Sequence, residues 1–190
     1  MKFIENIDLS NKKVLIRVDY NVPIQDGEVE NDFRIKQSLD TIKYCLDNNA
    51  AVILMSHLGR PDGTYDDKFS LETVSFHLEE LLNNEVMFAD DCISDEAYNL
   101  SLNMKSREIL LLENLRFHSG EVDNCKEFSQ MLSRHADIYI NDAFGTAHRA
   151  HASNVGILDY FKESGYGFLI NRELHYLKNQ IENPDKPLLV

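Results

Sequence analysis

Apolar residues fall along this chain in two alternating textures. Short unbroken runs come first: Val14-Leu15-Ile16 within 12–18, 50–55, 109–112 and 138–140, with another within 85–89. Runs of this length, bounded by turn residues, read as strands covered on both faces. Between them the apolar positions space out. Ile35, Leu39, Ile42 and Leu46 step by four, three and four, and Leu71, Val74, Leu78 and Leu81 repeat the pattern. Phe128, Met131 and Leu132 mark a helix over 124–135, and Leu174, Leu177 and Ile181 mark the buried face of another over 171–182. These are helical stripes. Pro23 ends the first strand, 25–28 and 62–64 turn the chain, Asn31 or Asp32 caps the first helix, and Ser70 caps the second. His77 on that helix reads as structural or surface-facing. The segment 92–107 has mixed character and receives no element. A short amphipathic piece follows over 157–161, then a break at Gly165-Tyr166-Gly167.

Strands and helices that alternate in this way predict an α/β fold with a mainly parallel sheet. Right-handed crossovers then bring every strand's carboxyl end to one edge, where open α/β sheets bind ligands. The loops arriving there carry Asp19 and Asn21, His57 and Arg60, Arg116 and His118, and His148, Arg149 and His151. Arg34 sits in the first turn of the following helix, where the helix dipole disfavours a cation and an anionic neighbour is expected. Two like charges about 6 Å apart at an effective dielectric near 20 repel by about 3 kcal/mol, so converging arginines favour a counter-ion. Asp142 and Glu113 offset part of this. The remainder predicts a small anion with more than one negative group, because guanidinium forks match phosphate and carboxylate oxygens. Structural ion pairing is the competing explanation.

Composition limits the alternatives. A chain of 190 residues suits one well-buried domain. A net charge of −13 with no Lys/Arg run argues against a nucleic-acid partner. No stretch approaches the roughly 18 apolar residues of a membrane span, and the amino terminus lacks the layout of a signal peptide, so a cytoplasmic protein without membrane association is expected. Cys45, Cys92 and Cys125 are widely separated and suit free thiols. His148 and His151 are three apart, but Arg149 between them and the missing partner ligands argue against zinc. A G-x-S-x-G elbow, a Walker A loop and G-x-G-x-x-G are all absent.

Five segments in order, Arg17-Val18-Asp19-Tyr20-Asn21-Val22-Pro23, Asp32-Phe33-Arg34-Ile35, Ser56-His57-Leu58-Gly59-Arg60-Pro61, Leu112-Glu113-Asn114-Leu115-Arg116-Phe117-His118 and Asn141-Asp142-Ala143-Phe144-Gly145-Thr146-Ala147-His148-Arg149-Ala150-His151, resemble the successive signatures of the phosphoglycerate kinase family. The resemblance implies a three-layer, Rossmann-like, phosphoglycerate-binding domain over 1–183. It also implies the transfer of the acyl phosphate of 1,3-bisphosphoglycerate to ADP, giving 3-phosphoglycerate and ATP. Carried over, Asp19, Tyr20 and Asn21 contact the triose, His57, Leu58, Gly59 and Arg60 help to hold it, and Arg116 and Arg149 grip its phosphate. Arg34 binds substrate too and is the catalytic member, facing the transferring phosphoryl group. The acceptor carboxylate is already ionised at neutral pH, so positioning and charge neutralisation suffice without a general base.

Departures are few. Tyr20 stands where the family commonly has phenylalanine, and Ser38-Leu39-Asp40-Thr41 lacks a proline common before Thr-Ile. The segment 184–190 reads as a linker and the start of a nucleotide-binding domain that the chain does not contain. The expectation is therefore a monomeric amino-terminal half, inactive alone, with Mg-ADP or Mg-ATP held by the absent carboxy-terminal domain and no cofactor or metal on this chain. A non-catalytic anion-binding or regulatory module on the same fold is the alternative. A receiver-like signalling domain with Asp19 as acceptor lacks the acidic pair and lysine it would need.

Overall fold

In the computed structural model, which describes residues 2–182, the apolar runs become the strands of one sheet. The elements in order are β1 (Lys13–Arg17), a hairpin of β2 (Ile24–Gln25) and β3 (Glu28–Val29), α1 (Phe33–Asp47), β4 (Ala51–Met55), α2 (Glu72–Leu82) and β5 (Val86–Ala89). Then follow α3 (Asp95–Asn103), β6 (Ile109–Leu112), α4 (Ser119–Val122), α5 (Lys126–Ser133), β7 (Ile138–Asn141), β8 (Ser164–Tyr166) and α6 (Phe168–Glu182). Six strands pair in the order β5-β6-β4-β1-β7-β8, all parallel, and the hairpin stands apart. Register places Val14 opposite both Val52 and Ile138.

Alternation along the central strands sorts the core into two layers. Val14, Ile16, Val52 and Leu54 face Ile35 and Ile42 of α1 and Val74 and Leu78 of α2. Leu15, Ile53 and Tyr139 face the other way, with Ala97 of α3 and Phe128 and Leu132 of α5. Each fully buried aliphatic side chain contributes about 1.5–3 kcal/mol relative to exposure, so the sheet holds most of the apolar driving force. Three layers result, as expected for this α/β class. Among the described residues no helix is long and apolar enough to cross a membrane.

The structure corrects several readings. Asp32 precedes α1 but its side chain does not cap it; Asn31 Oδ1 accepts the Phe33 N–H at 3.0 Å, while the Asp32 carboxylate takes Lys36 and His77 at 3.0 and 3.1 Å. His77 is thus a brace between α2 and α1. Ser70 lies one residue before the N-cap of α2, which is Leu71 and has no side-chain cap, though Ser70 Oγ still accepts the Glu72 N–H at 3.2 Å. The unassigned segment contains α3, capped by Ser94, whose Oγ accepts the Ala97 N–H. Its buried positions are Ala97 and Ser101, too small to write an apolar stripe. Met131 faces outward, because α5 turns Phe128, Ser129 and Leu132 inward. The glycine break is the edge strand β8; a Cβ at Gly165 would meet Ile7 Cδ1 at 2.8 Å, so close packing selects the glycine. α6 begins three residues before the expected start, with Ile170 buried and Leu177 exposed. The Ile181 side chain and the linker expected over 184–190 lie outside the described residues.

Candidate anion-binding site

Four central strands, β1, β4, β6 and β7, deliver the polar loops to one edge, and buried polar side chains lock those loops together. Ser56 Oγ accepts the Tyr20 N–H at 2.8 Å and donates to Val18 O at 3.0 Å, joining the ends of β4 and β1. Asn114 is fully buried after β6. Its Oδ1 accepts the N–H groups of Leu58 and Arg116 at 3.2 and 3.0 Å, and its Nδ2 donates to Leu58 O and Phe69 O at 2.7 and 2.8 Å. Asn154 Nδ2 donates to Thr146 O at 2.9 Å and Arg149 O at 3.3 Å, shaping the loop after β7. Gly59 has φ +61°, and a Cβ there would meet the Phe69 ring at 2.3 Å. Only glycine fits both the left-handed backbone and the contact.

Arg60, Arg116, Arg149 and His151 share the wall of one cavity of about 380 Å³, with Asp62 and Asp123 exposed on its rim. Arg116 is its buried member, 7% exposed. One Nη donates to Gly59 O at 2.6 Å, but its Nε, buried, has no hydrogen-bond partner. Burial, followed by the charges of Arg149 and Arg17, lowers the Arg116 pKa from its ordinary value. A guanidinium stays charged in proteins regardless, so this wall is a positive surface with a donor to spare.

Behind the wall lies Arg17, an arginine in an otherwise apolar strand and 1% exposed. Its Nε donates to Ser153 Oγ at 2.9 Å, one Nη to Val18 O, and the other lies 3.1 Å from His57 Nδ1. Arginine has no lone pair to offer, so His57 Nδ1 is the acceptor and the proton resides on Nε2. Burial, then Arg17, Arg116, Arg149 and His151, pulls the His57 pKa down to about 2. His57 is a fixed neutral donor and not a base at physiological pH.

Asp19 and Arg34 line a second cavity of about 220 Å³, which also takes in Asp142 and Phe144. Arg34 Nη1 donates to Asp19 Oδ2 at 3.0 Å, the anionic neighbour that its place in the helix suggested. Asn21 Oδ1 accepts the Gly59 N–H at 2.9 Å. Tyr20 is wholly buried with its hydroxyl on Ser38, and Leu58 is buried also, so their side chains support the loops from the core side and line neither cavity. His118 turns away to Asp91, its Nε2 2.8 Å from Oδ2; Cys92 joins them to bring three ligand-type atoms within 4.8 Å. His148 is exposed.

The expected acidic neighbours are spent elsewhere. Glu113 accepts from Ser70 Oγ and the Leu71 and Asn114 N–H groups, and Asp142 accepts from Thr41 Oγ1 at 2.6 Å and the Ile170 N–H at 3.2 Å, at the start of α6. Burial raises the Asp142 pKa to about 6. The buried acid beside the cationic wall is Glu121, which sequence reasoning passed over together with Arg17, Asn114 and Ser153. Their signal was present only as polar residue types inside or beside apolar segments.

A sequence-family model described as Phosphoglycerate kinase matches residues 4–190. A curated phosphoglycerate kinase of Akkermansia muciniphila is 48% identical over 187 residues, covering 98% of this chain and 46% of that protein. The solved structure of phosphoglycerate kinase from Coxiella burnetii matches with a TM-score of 0.88 at 37% identity, over 98% of this chain and 46% of the other. That from Pyrococcus horikoshii OT3 matches with a TM-score of 0.89 at 33% identity, over 98% and 47%. The chain spans about half the length of the curated relatives it matches. With the family pattern running along nearly its whole length and the same fold beneath it, this chain belongs to the phosphoglycerate kinase family.

Proposed function

We propose that this chain is the phosphoglycerate-binding half of a phosphoglycerate kinase. The phosphate of 3-phosphoglycerate or 1,3-bisphosphoglycerate lies in the cavity of Arg60, Arg116 and Arg149, and the triose lies toward Asp19, Asn21 and His57. The single observation that carries this reading is the buried Arg116 Nε without a partner, set among like charges. A bound phosphate supplies both the missing acceptor and the missing negative charge.

The chemistry follows from what the residues can do. His57 is neutral with Nδ1 occupied, so it orients substrate by donation and takes no proton. Arg34 leaves Asp19 to face the transferring phosphoryl group, where its charge offsets that developing on the equatorial oxygens. Mg-ADP or Mg-ATP is held by a second domain, and this chain alone has no turnover.

Titration with 3-phosphoglycerate, followed by NMR, tests the reading. Perturbations centred on His57, Arg116 and Arg149 are expected, weakening with added salt; none at millimolar ligand overturns it. Mixing the chain with a separately made nucleotide-binding domain of the family should restore measurable turnover. Binding that persists in a docked but inactive mixture would instead assign the chain to a non-catalytic anion-binding module.

A further inference from the structure

Glu121 contacts none of the residues that the phosphoglycerate reading assigns to the ligand, yet it is completely buried. An ionised carboxylate in such a place is heavily penalised unless it is paired and hydrogen-bonded. Both its oxygens are engaged by one residue. Oε2 accepts the Ser153 N–H at 2.9 Å and Oε1 the Ser153 hydroxyl at 2.6 Å, while His151 Nδ1 lies 3.6 Å from Oε1. Its backbone oxygen also accepts the Ala152 N–H at 2.9 Å. Glu121 therefore pins the segment 151–153, which leads directly out of the loop carrying Arg149.

The contacts form a chain with one permitted direction. Glu121 can only accept, so the Ser153 hydroxyl donates to it and turns a lone pair toward Arg17. Arg17 Nε donates into that lone pair at 2.9 Å, which fixes the guanidinium plane. The fixed plane aims an Nη at His57 Nδ1, 3.1 Å away, and so assigns the imidazole proton to Nε2. No acceptor among the described residues takes that Nε2–H. Glu121 also supplies the buried negative charge next to Arg17; without it, an almost wholly buried guanidinium lacks a counter-charge.

We propose that Glu121 is a positioning residue for the phosphoglycerate site: through Ser153 it holds Arg17 in place, and through Arg17 it holds His57 as a neutral Nε2–H donor. The inference rests on the phosphoglycerate reading for its consequence in binding, and on this chain's geometry alone for the relay itself.

The test compares Glu121→Gln, Glu121→Asp and Ser153→Ala with the parent chain by 15N NMR of the arginine Nε–H and the imidazole nitrogens, without ligand. The parent should show an exchange-protected Arg17 Nε–H and a single Nε2-protonated His57. In Glu121→Gln the charge is gone and the amide donates toward Ser153 Oγ in competition with Arg17. The Arg17 signal should lose protection and His57 should populate both tautomers. Glu121→Asp, which keeps charge and acceptor character, should restore both signatures. Binding of 3-phosphoglycerate should weaken about 10- to 100-fold in Glu121→Gln, the worth of a hydrogen-bonded charge. Should Glu121→Gln not fold, Ser153→Ala decides, since it removes the Oγ bridge alone and must release the Arg17 Nε–H. Unchanged Arg17 and His57 signatures in either folded variant overturn the proposal. A parent that binds no 3-phosphoglycerate while Glu121→Gln still disturbs Arg17 and His57 overturns the ligand reading and leaves the relay standing.

Discussion

Lowering the pH from 7 to 5 and replacing His57 by glutamine together probe the site's electrostatics. In the folded chain His57 is 3% exposed, hydrogen-bonded through Nδ1 and surrounded by arginines, with its pKa held near 2. Unfolded, it titrates near its ordinary value of about 6.5. Below that value the unfolded state binds a proton that the folded state refuses, so stability falls as pH falls, by about 1.4 kcal/mol per pH unit. From pH 6.5 to 5 the loss is about 2 kcal/mol. Asp142 acts with the opposite sign: burial raises its pKa to about 6, so between pH 6 and 5 the folded state holds the extra proton and gains about 1.4 kcal/mol. The parent chain should therefore show a shallow profile concealing two opposed slopes. His57→Gln keeps an acceptor for Arg17 but cannot titrate, so the Asp142 gain is left without the His57 loss. His135, whose pKa is lowered mainly by burial, is common to both proteins and cancels in the comparison. Urea unfolding followed by circular dichroism at pH 7, 6 and 5, in buffers free of phosphate, measures the difference directly. The stability gap should shift by about 2 kcal/mol in favour of His57→Gln on acidification. A gap that stays constant within about 0.5 kcal/mol would refute the argument.

Other outcomes follow from the same geometry. Inorganic phosphate at 100 times its Kd should stabilise the parent by about 2.7 kcal/mol, and Arg116→Met should abolish that thermal shift while relieving repulsion with Arg17 and Arg149 in the free protein. Asp142→Asn should steepen the pH dependence of stability between about pH 4 and 6, with stability falling by about 1.4 kcal/mol per unit as pH falls, read by unfolding across that range, because the gain that offset the His57 loss is gone. Gly59→Ala should cost about 1–3 kcal/mol in urea unfolding, through left-handed strain and displacement of the Phe69 ring. Arg34→Ala should change stability by less than about 1 kcal/mol, since its ion pair with Asp19 is half-exposed, yet remove turnover from a reconstituted two-domain enzyme.

Local physics made much of the fold legible from sequence. Unbroken runs such as Val52-Ile53-Leu54 can be nothing but buried, and a stripe such as Ile35, Leu39 and Ile42 has one helical face; both are properties of chain geometry at short range. The convergence of Asp19, His57, Arg116 and Arg149 on one edge also followed, because parallel strands force their carboxyl ends together. α3 and β8 escaped for a physical reason: Ala97, Ser101 and Gly165 are selected by close packing, which favours small residues and erases the apolar signal. Met131 and Leu177 escaped because spacing names a stripe but not its edge.

The sequence by itself determined the residue types of the site, their order and the family they belong to. Tertiary structure decided their states. Which acid stands beside the arginines depends on distances across 32 residues between Glu121 and Ser153, and Asp142 and Glu113, closer in sequence to the site loops, turn to helix starts instead. Whether His57 is a base or a neutral donor depends on Arg17 reaching it across 40 residues in the buried interior. Charge and protonation are set by solvation and by neighbours in three dimensions, and no linear pattern records either.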